Sequence, residues 1–172
     1  MMKKKASGVI LTTLILCACA PEKDTNWPVY LGDSGRQHYS ELDQINRDNV
    51  SQLEVAWVYN SGELRGGGST MYTSPLVIDG VLYGLSPKLV AFALNAATGE
   101  ELWRFDPGVE GAQRGLMWWE SQGEKRLFYT AGRILLAVNA VDGRPIESFG
   151  EKGKVDLTPR GDKTGYVGVT VA

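Results

Sequence analysis

Cysteine is almost missing from this chain of 172 residues: Cys17 and Cys19 are the only two, and both fall within the first twenty positions. No disulfide framework, zinc site or haem-attachment motif can be assembled from that pair. Everything after Ala20 is free of thiols, which suits an oxidising compartment without requiring one. Histidine is reduced to His38, which sits in a polar stretch and reads as a surface residue. Long apolar runs are also missing. Val9 to Leu16, broken by Thr12 and Thr13, is too short to span a bilayer. Basic blocks are confined to Lys3, Lys4 and Lys5, so nucleic acid is not an expected partner. Gly66-Gly67-Gly68 is followed by neither Lys-Ser/Thr nor a helix signal, so it is a flexible connection and not a phosphate loop.

The first twenty residues look like an address. Three lysines, a short apolar core and the sequence Leu16-Cys17-Ala18-Cys19 form a signal peptide that resembles a bacterial lipobox. This reading makes residues 1–18 the signal, Cys19 the acylated first residue and 19–26 a linker. Ordinary cleavage within Ala18-Cys19-Ala20 is the alternative, with Pro21 against it. The expected location is exported and lipid-anchored to a membrane, facing the periplasm. Acyl chains hold a soluble domain at a surface without spanning it. Ala20 is not a retention aspartate, so the outer membrane is expected where a cell has two.

What the chain has in plenty is glycine and short apolar alternation. Leu53–Tyr59 puts Leu53, Val55, Trp57 and Tyr59 on one face and reads as a strand. Leu76–Tyr83 is two apolar runs joined by Asp79-Gly80, a hairpin signal. Leu89–Leu94 and Leu102–Phe105 follow around the turn Asn95–Gly99. A second set follows: Gly115–Trp119, Arg126–Thr130, Ile134–Asn139 and Ile146–Phe149. Ala93-Leu94-Asn95-Ala96-Ala97-Thr98-Gly99 matches Ala137-Val138-Asn139-Ala140-Val141-Asp142-Gly143 at an offset of 44 residues, and Trp57 and Trp103 lie 46 apart. Four short strands per repeat of this length implies an all-β fold, a β-propeller of four-stranded blades. Residues 53–149 supply about two and a half blades, whereas closed propellers have roughly 4–8. The chain is therefore expected to be a fragment whose blade faces and sheet edges are open.

The segment Ala93–Trp103, Ala-x-Asn-x-x-Thr-Gly-x-x-x-Trp, resembles the tryptophan-docking repeat of quinoprotein propellers. Glu147 stands where the next docking tryptophan would be. Tyr39–Val50, followed by Leu53 and Ala56-Trp57, resembles the entry segment of the dehydrogenases that use pyrroloquinoline quinone (PQQ) to oxidise glucose and alcohols. Arg114-Gly115-Leu116-Met117-Trp118-Trp119 resembles their Arg-Gly-x-x-x-Trp/His segment. The resemblance covers residues 27–172 and implies an eight-bladed propeller in the intact family fold.

PQQ is a flat quinone carrying three carboxylates, and a site for it needs planar cations, hydroxyl donors and flat apolar surfaces. The resemblance implies cofactor contacts from Arg114, Trp119 and Thr170. Trp118 and Trp119 alternate along one strand, so only one of them can face the cofactor. Tyr72 stands where many relatives carry a cofactor-contacting glutamate, so a phenol replaces a carboxylate. Gly111-Ala112-Gln113 stands where methanol-type enzymes carry adjacent cysteines, which favours the sugar-oxidising branch. The catalytic aspartate and the Ca²⁺ ligands belong to later blades in the family. The intact protein is thus expected to oxidise a sugar or alcohol and to pass electrons to a membrane quinone or cytochrome c, a task this fragment could not complete alone. A non-enzymatic propeller lipoprotein, similar to the scaffold of the outer-membrane assembly machinery, is the rival. A degenerate dehydrogenase that has lost PQQ is a third reading.

Overall fold

The computed structural model describes residues 25–63, 70–109, 111 and 115–158. They form two four-stranded antiparallel sheets, each built from consecutive strands in the order 1-2-3-4. The first holds β1 (Leu76–Ile78), β2 (Val81–Leu85), β3 (Ala91–Asn95) and β4 (Glu101–Phe105). The second holds β5 (Met117–Ser121), β6 (Glu124–Ala131), β7 (Ile134–Asn139) and β8 (Lys154–Asp156). This is the blade pattern expected from the repeat. The expected signal peptide, the lipidation site Cys19 and the linker lie outside the described residues, apart from 25 and 26.

The β1–β2 hairpin turns at Asp79 and Gly80, both with positive φ (51° and 75°), the pairing that a tight two-residue turn requires. Alternation then decides which side chains meet. Leu76, Tyr83, Ala93 and Trp103 lie opposite one another across the four strands. The row Trp118, Leu127 and Val138 does the same in the second sheet. These two rows belong to one buried cluster that also takes in Leu85, Tyr129 and Leu136. Neither sheet could bury such a face alone, so the sheets stack.

Two strands differ from expectation. Ile146–Phe149 is a turn, and the outer strand of the second sheet is split. Pro145 bridges Val138, the chain loops out, and pairing resumes at Lys154 opposite Leu136. Ala137 holds both ends of the excursion, accepting from the Ile146 amide and donating to the Gly153 carbonyl, each at 2.9 Å. Proline has no amide to donate to a ladder, and Glu147, where a docking tryptophan would sit, is exposed. Leu53–Tyr59 is the second difference: it belongs to no strand or sheet among the described residues.

Candidate functional site

Two tryptophans dock in the same way on successive turns. The Trp103 indole N–H donates to the Ala140 carbonyl at 2.9 Å, and its ring lies over Gly143, where an added Cβ would meet it at 2.5 Å. The Trp57 indole N–H donates to the Ala96 carbonyl at 3.2 Å, and its ring lies over Gly99, where a Cβ would meet it at 2.6 Å. Both glycines hold φ above 70°, a conformation that side chains with a Cβ rarely adopt. Asn95 and Asn139 shape the two turns through their side-chain oxygens, accepting from Ala97 and Val141. The repeat seen in the sequence is therefore a repeat of contacts.

Of the four expected cofactor contacts, Arg114 and Thr170 lie outside the described residues. Tyr72 is 71% exposed and sits four residues ahead of β1. Trp119, on β5, is 39% exposed and carries the Arg126 guanidinium 4.8 Å above its ring. Trp118 turns the other way, into the seam, with its ring 5.7 Å from Tyr83 of the first sheet. The alternation thus sorts the two indoles: Trp118 is interior packing, and Trp119 faces away from the seam.

Next to Tyr72 the chain makes a cleft of about 440 Å³, lined by Trp27, Tyr30, Leu31, Thr73, Ser74, Pro75 and Val77. Trp27 and Val77 exchange two backbone hydrogen bonds at its wall. The Thr73 hydroxyl is buried and has no partner. An unsatisfied buried hydroxyl is costly, so this one is ready to take a ligand or water. Pattern alone did not reveal Thr73: a threonine before a Ser-Pro turn is unremarkable until its surroundings are known.

A second group missed by the sequence lies along the first sheet. Glu63 is buried, accepts the Lys88 amide at 2.9 Å and faces the Arg104 guanidinium at 3.6 Å. The Tyr59 hydroxyl donates to Glu101 at 2.6 Å. Burial, then this bond, push the Tyr59 phenol up to about 12. Burial likewise raises Tyr83 to about 12, and raises Tyr129 further still.

The hydroxyls at 72–74 and the Trp119 plane fit part of what a planar, carboxylate-bearing cofactor needs. None of the described residues lining the cleft is a cation, and the described residues contain no cluster of His, Cys, Asp or Glu able to hold a metal. Among the described residues the hydroxyls and the indole are separate features of the two sheets: the hydroxyls precede β1 and the indole is on β5.

The family model for the PQQ glucose/ethanol/alcohol dehydrogenase β-propeller domain matches residues 27–171. The quinoprotein glucose dehydrogenase of Escherichia coli (strain K12) is 32% identical over 164 residues, which is 81% of this chain and 20% of that protein. The dehydrogenase subunit of the quinone-linked alcohol dehydrogenase of Komagataeibacter europaeus is 37% identical over 139 residues, 75% of this chain and 18% of that protein. Among solved structures, the quinohemoprotein alcohol dehydrogenase from Comamonas testosteroni superposes with a TM-score of 0.60 at 29% identity, covering 74% of this chain and 19% of that one. The chain spans about a fifth of the length of the curated relatives it matches.

Proposed function

The chain belongs to the PQQ glucose/ethanol/alcohol dehydrogenase β-propeller family, and on that premise we propose that it forms part of a dehydrogenase oxidising a hydroxyl of a sugar or alcohol. The observation that supports this most is the family match across both tryptophan-docked sheets. The Arg114 guanidinium would hold a cofactor carboxylate through two parallel hydrogen bonds. Tyr72 and Thr170 would donate to its oxygens, and the Trp119 indole would lie near its plane. When bound, PQQ supplies the acceptor for the two electrons removed from substrate, with Ca²⁺ as the ion that polarises it. The protein's part is to orient and to exclude water.

The Gly111-Ala112-Gln113 stretch, with no cysteine pair, supports an aldose over methanol as substrate. A membrane quinone or cytochrome c would take the electrons. Acylation at Cys19 would keep the protein at the membrane that holds such an acceptor, facing the periplasm. The test uses the full-length protein, purified and supplied with PQQ and Ca²⁺, with dye reduction followed on a panel of aldoses and alcohols. Turnover that needs both additions and falls at least about a hundredfold in Arg114→Ala is expected. Folded protein that binds no PQQ would overturn the reading and favour a scaffold or a degenerate relative.

A further inference from the structure

The cleft beside Tyr72 has a wall that is fixed before any ligand arrives. The Trp27 amide donates to the Val77 carbonyl at 2.6 Å, and the Val77 amide donates back to the Trp27 carbonyl at 3.1 Å. The Asp79 amide donates to the Asn26 side-chain oxygen at 2.9 Å. These three bonds tie residues 26 and 27 to β1 and to the turn that follows it. Gly32 lies against the Trp27 ring, where an added Cβ would meet it at 2.9 Å, and its φ is 96°. The indole therefore rests on bare backbone, which a residue with a Cβ could not provide.

What lines the space narrows what can enter it. The described lining residues are two aromatic rings, Trp27 and Tyr30, three apolar side chains, and the hydroxyls of Thr73 and Ser74. None of them carries a charge, so an ionic ligand would lose hydration there without gaining a counter-charge. A wholly apolar ligand would suit the rings and waste the hydroxyls. The Thr73 oxygen is buried and bonded to nothing, so no partner holds it where it lies. A turn about its Cα–Cβ bond, from one staggered position to another, brings it towards the cleft. The volume, about 440 Å³, is that of a small-molecule site. An uncharged ring carrying several hydroxyls uses every part of this lining. Its C–H faces meet the aromatic rings, and its O–H groups meet Thr73 and Ser74.

We infer that this cleft is a sugar-binding subsite, in which Thr73 supplies a hydrogen bond and Trp27 an aromatic platform. The choice of a sugar among neutral hydroxylated rings rests on the dehydrogenase reading, whereas the lining chemistry is independent of the cofactor. The subsite selects by hydroxyl pattern. A ring lacking the hydroxyl that meets Thr73 leaves a buried polar group unpaired, and a site of this kind rejects such an analogue.

The test uses the full-length protein free of PQQ, with methyl glucoside as the probe. The anomeric hydroxyl of this probe is blocked, so binding is read without oxidation at that carbon. Saturation-transfer NMR should show saturable binding. Thr73→Val keeps the shape, removes the hydroxyl and should weaken binding about tenfold. Its midpoint in urea should be unchanged or higher, because an unpartnered hydroxyl has been removed. Thr73→Ser keeps the hydroxyl and should bind as the wild type does. No saturable binding, or equal binding by Thr73→Val, would overturn the inference. So would a lower urea midpoint in Thr73→Val, which would give the hydroxyl a partner inside the protein. Turnover of aldoses with PQQ and Ca²⁺ is measured on the same preparation. Turnover without Thr73-dependent binding overturns the subsite alone. Thr73-dependent binding without turnover upholds the subsite and overturns the dehydrogenase reading.

Discussion

The two sheets share a repeat and differ in how their outer strands end. In the first, β4 runs unbroken, and Trp103 reaches across the seam to the carbonyl of Ala140. In the second, the strand breaks at Pro145 and the equivalent side chain, Glu147, stays in solvent. The turn chemistry is the same in both, with an asparagine oxygen capping the turn and a left-handed glycine closing it. Turn residues therefore fix where a blade folds back, while the tryptophan decides whether it is locked to the next one. The second sheet uses Phe149 on Phe128 instead, ring to ring at 5.3 Å, a contact within the blade and not between blades.

Removing the lock should give the largest effect. Trp103→Ala should cost about 3–5 kcal/mol in urea unfolding, with Trp103→Phe intermediate if the alanine variant does not fold. A cost below 1 kcal/mol would mean that the seam rests on Tyr83, Trp118 and the aliphatic core alone. Next come the glycines beneath the rings. Gly143→Ala and Gly99→Ala should each cost about 1–3 kcal/mol, from positive φ and from collision with the indole. The former should be the more costly, because Trp103 is the more buried ring. Equal costs would show that backbone strain, and not the dock, dominates.

Phenol titration separates the seam from the surface. Tyr59 and Tyr83 are both raised to about 12, so the folded protein keeps protons that the unfolded chain releases near 10. Their contribution to stability is fully present below pH 10 and is lost as pH rises towards 12. Absorbance at alkaline pH should show them ionising after exposed tyrosines, and Tyr59→Phe should remove one late step. The smallest change is expected from Glu147→Trp, within about 0.5 kcal/mol. Glu147 is exposed, so a larger gain would reveal a receptor for the new ring.

Much of this architecture could be read in advance. Asp79-Gly80 announced a hairpin, and the match of Ala93–Gly99 to Ala137–Gly143 announced two equivalent turns. Both signals are local, since positive φ at a turn is written in the residues that adopt it. Trp118 and Trp119 could be told apart only as alternatives, because alternation says that two faces exist and not which is buried. Glu63 was invisible: an acid in a polar stretch looks solvated until Arg104, 41 positions away, is folded beside it. The split outer strand was misplaced for a related reason. Ile146–Phe149 has strand-like residues, yet the ladder skips to Lys154, a choice made by Ala137 on the facing strand.

The reach of the tryptophan lock has a consequence for the order of events during synthesis. Each sheet is made of neighbouring hairpins, which close quickly because their contacts are local. Trp103, by contrast, bonds a residue 37 positions further along the chain. On the ribosome it emerges long before the alanine and glycine that will receive it. During that interval the newly closed first sheet carries a bare indole and an apolar face, the time when a nascent chain is most open to chaperones and to wrong partners.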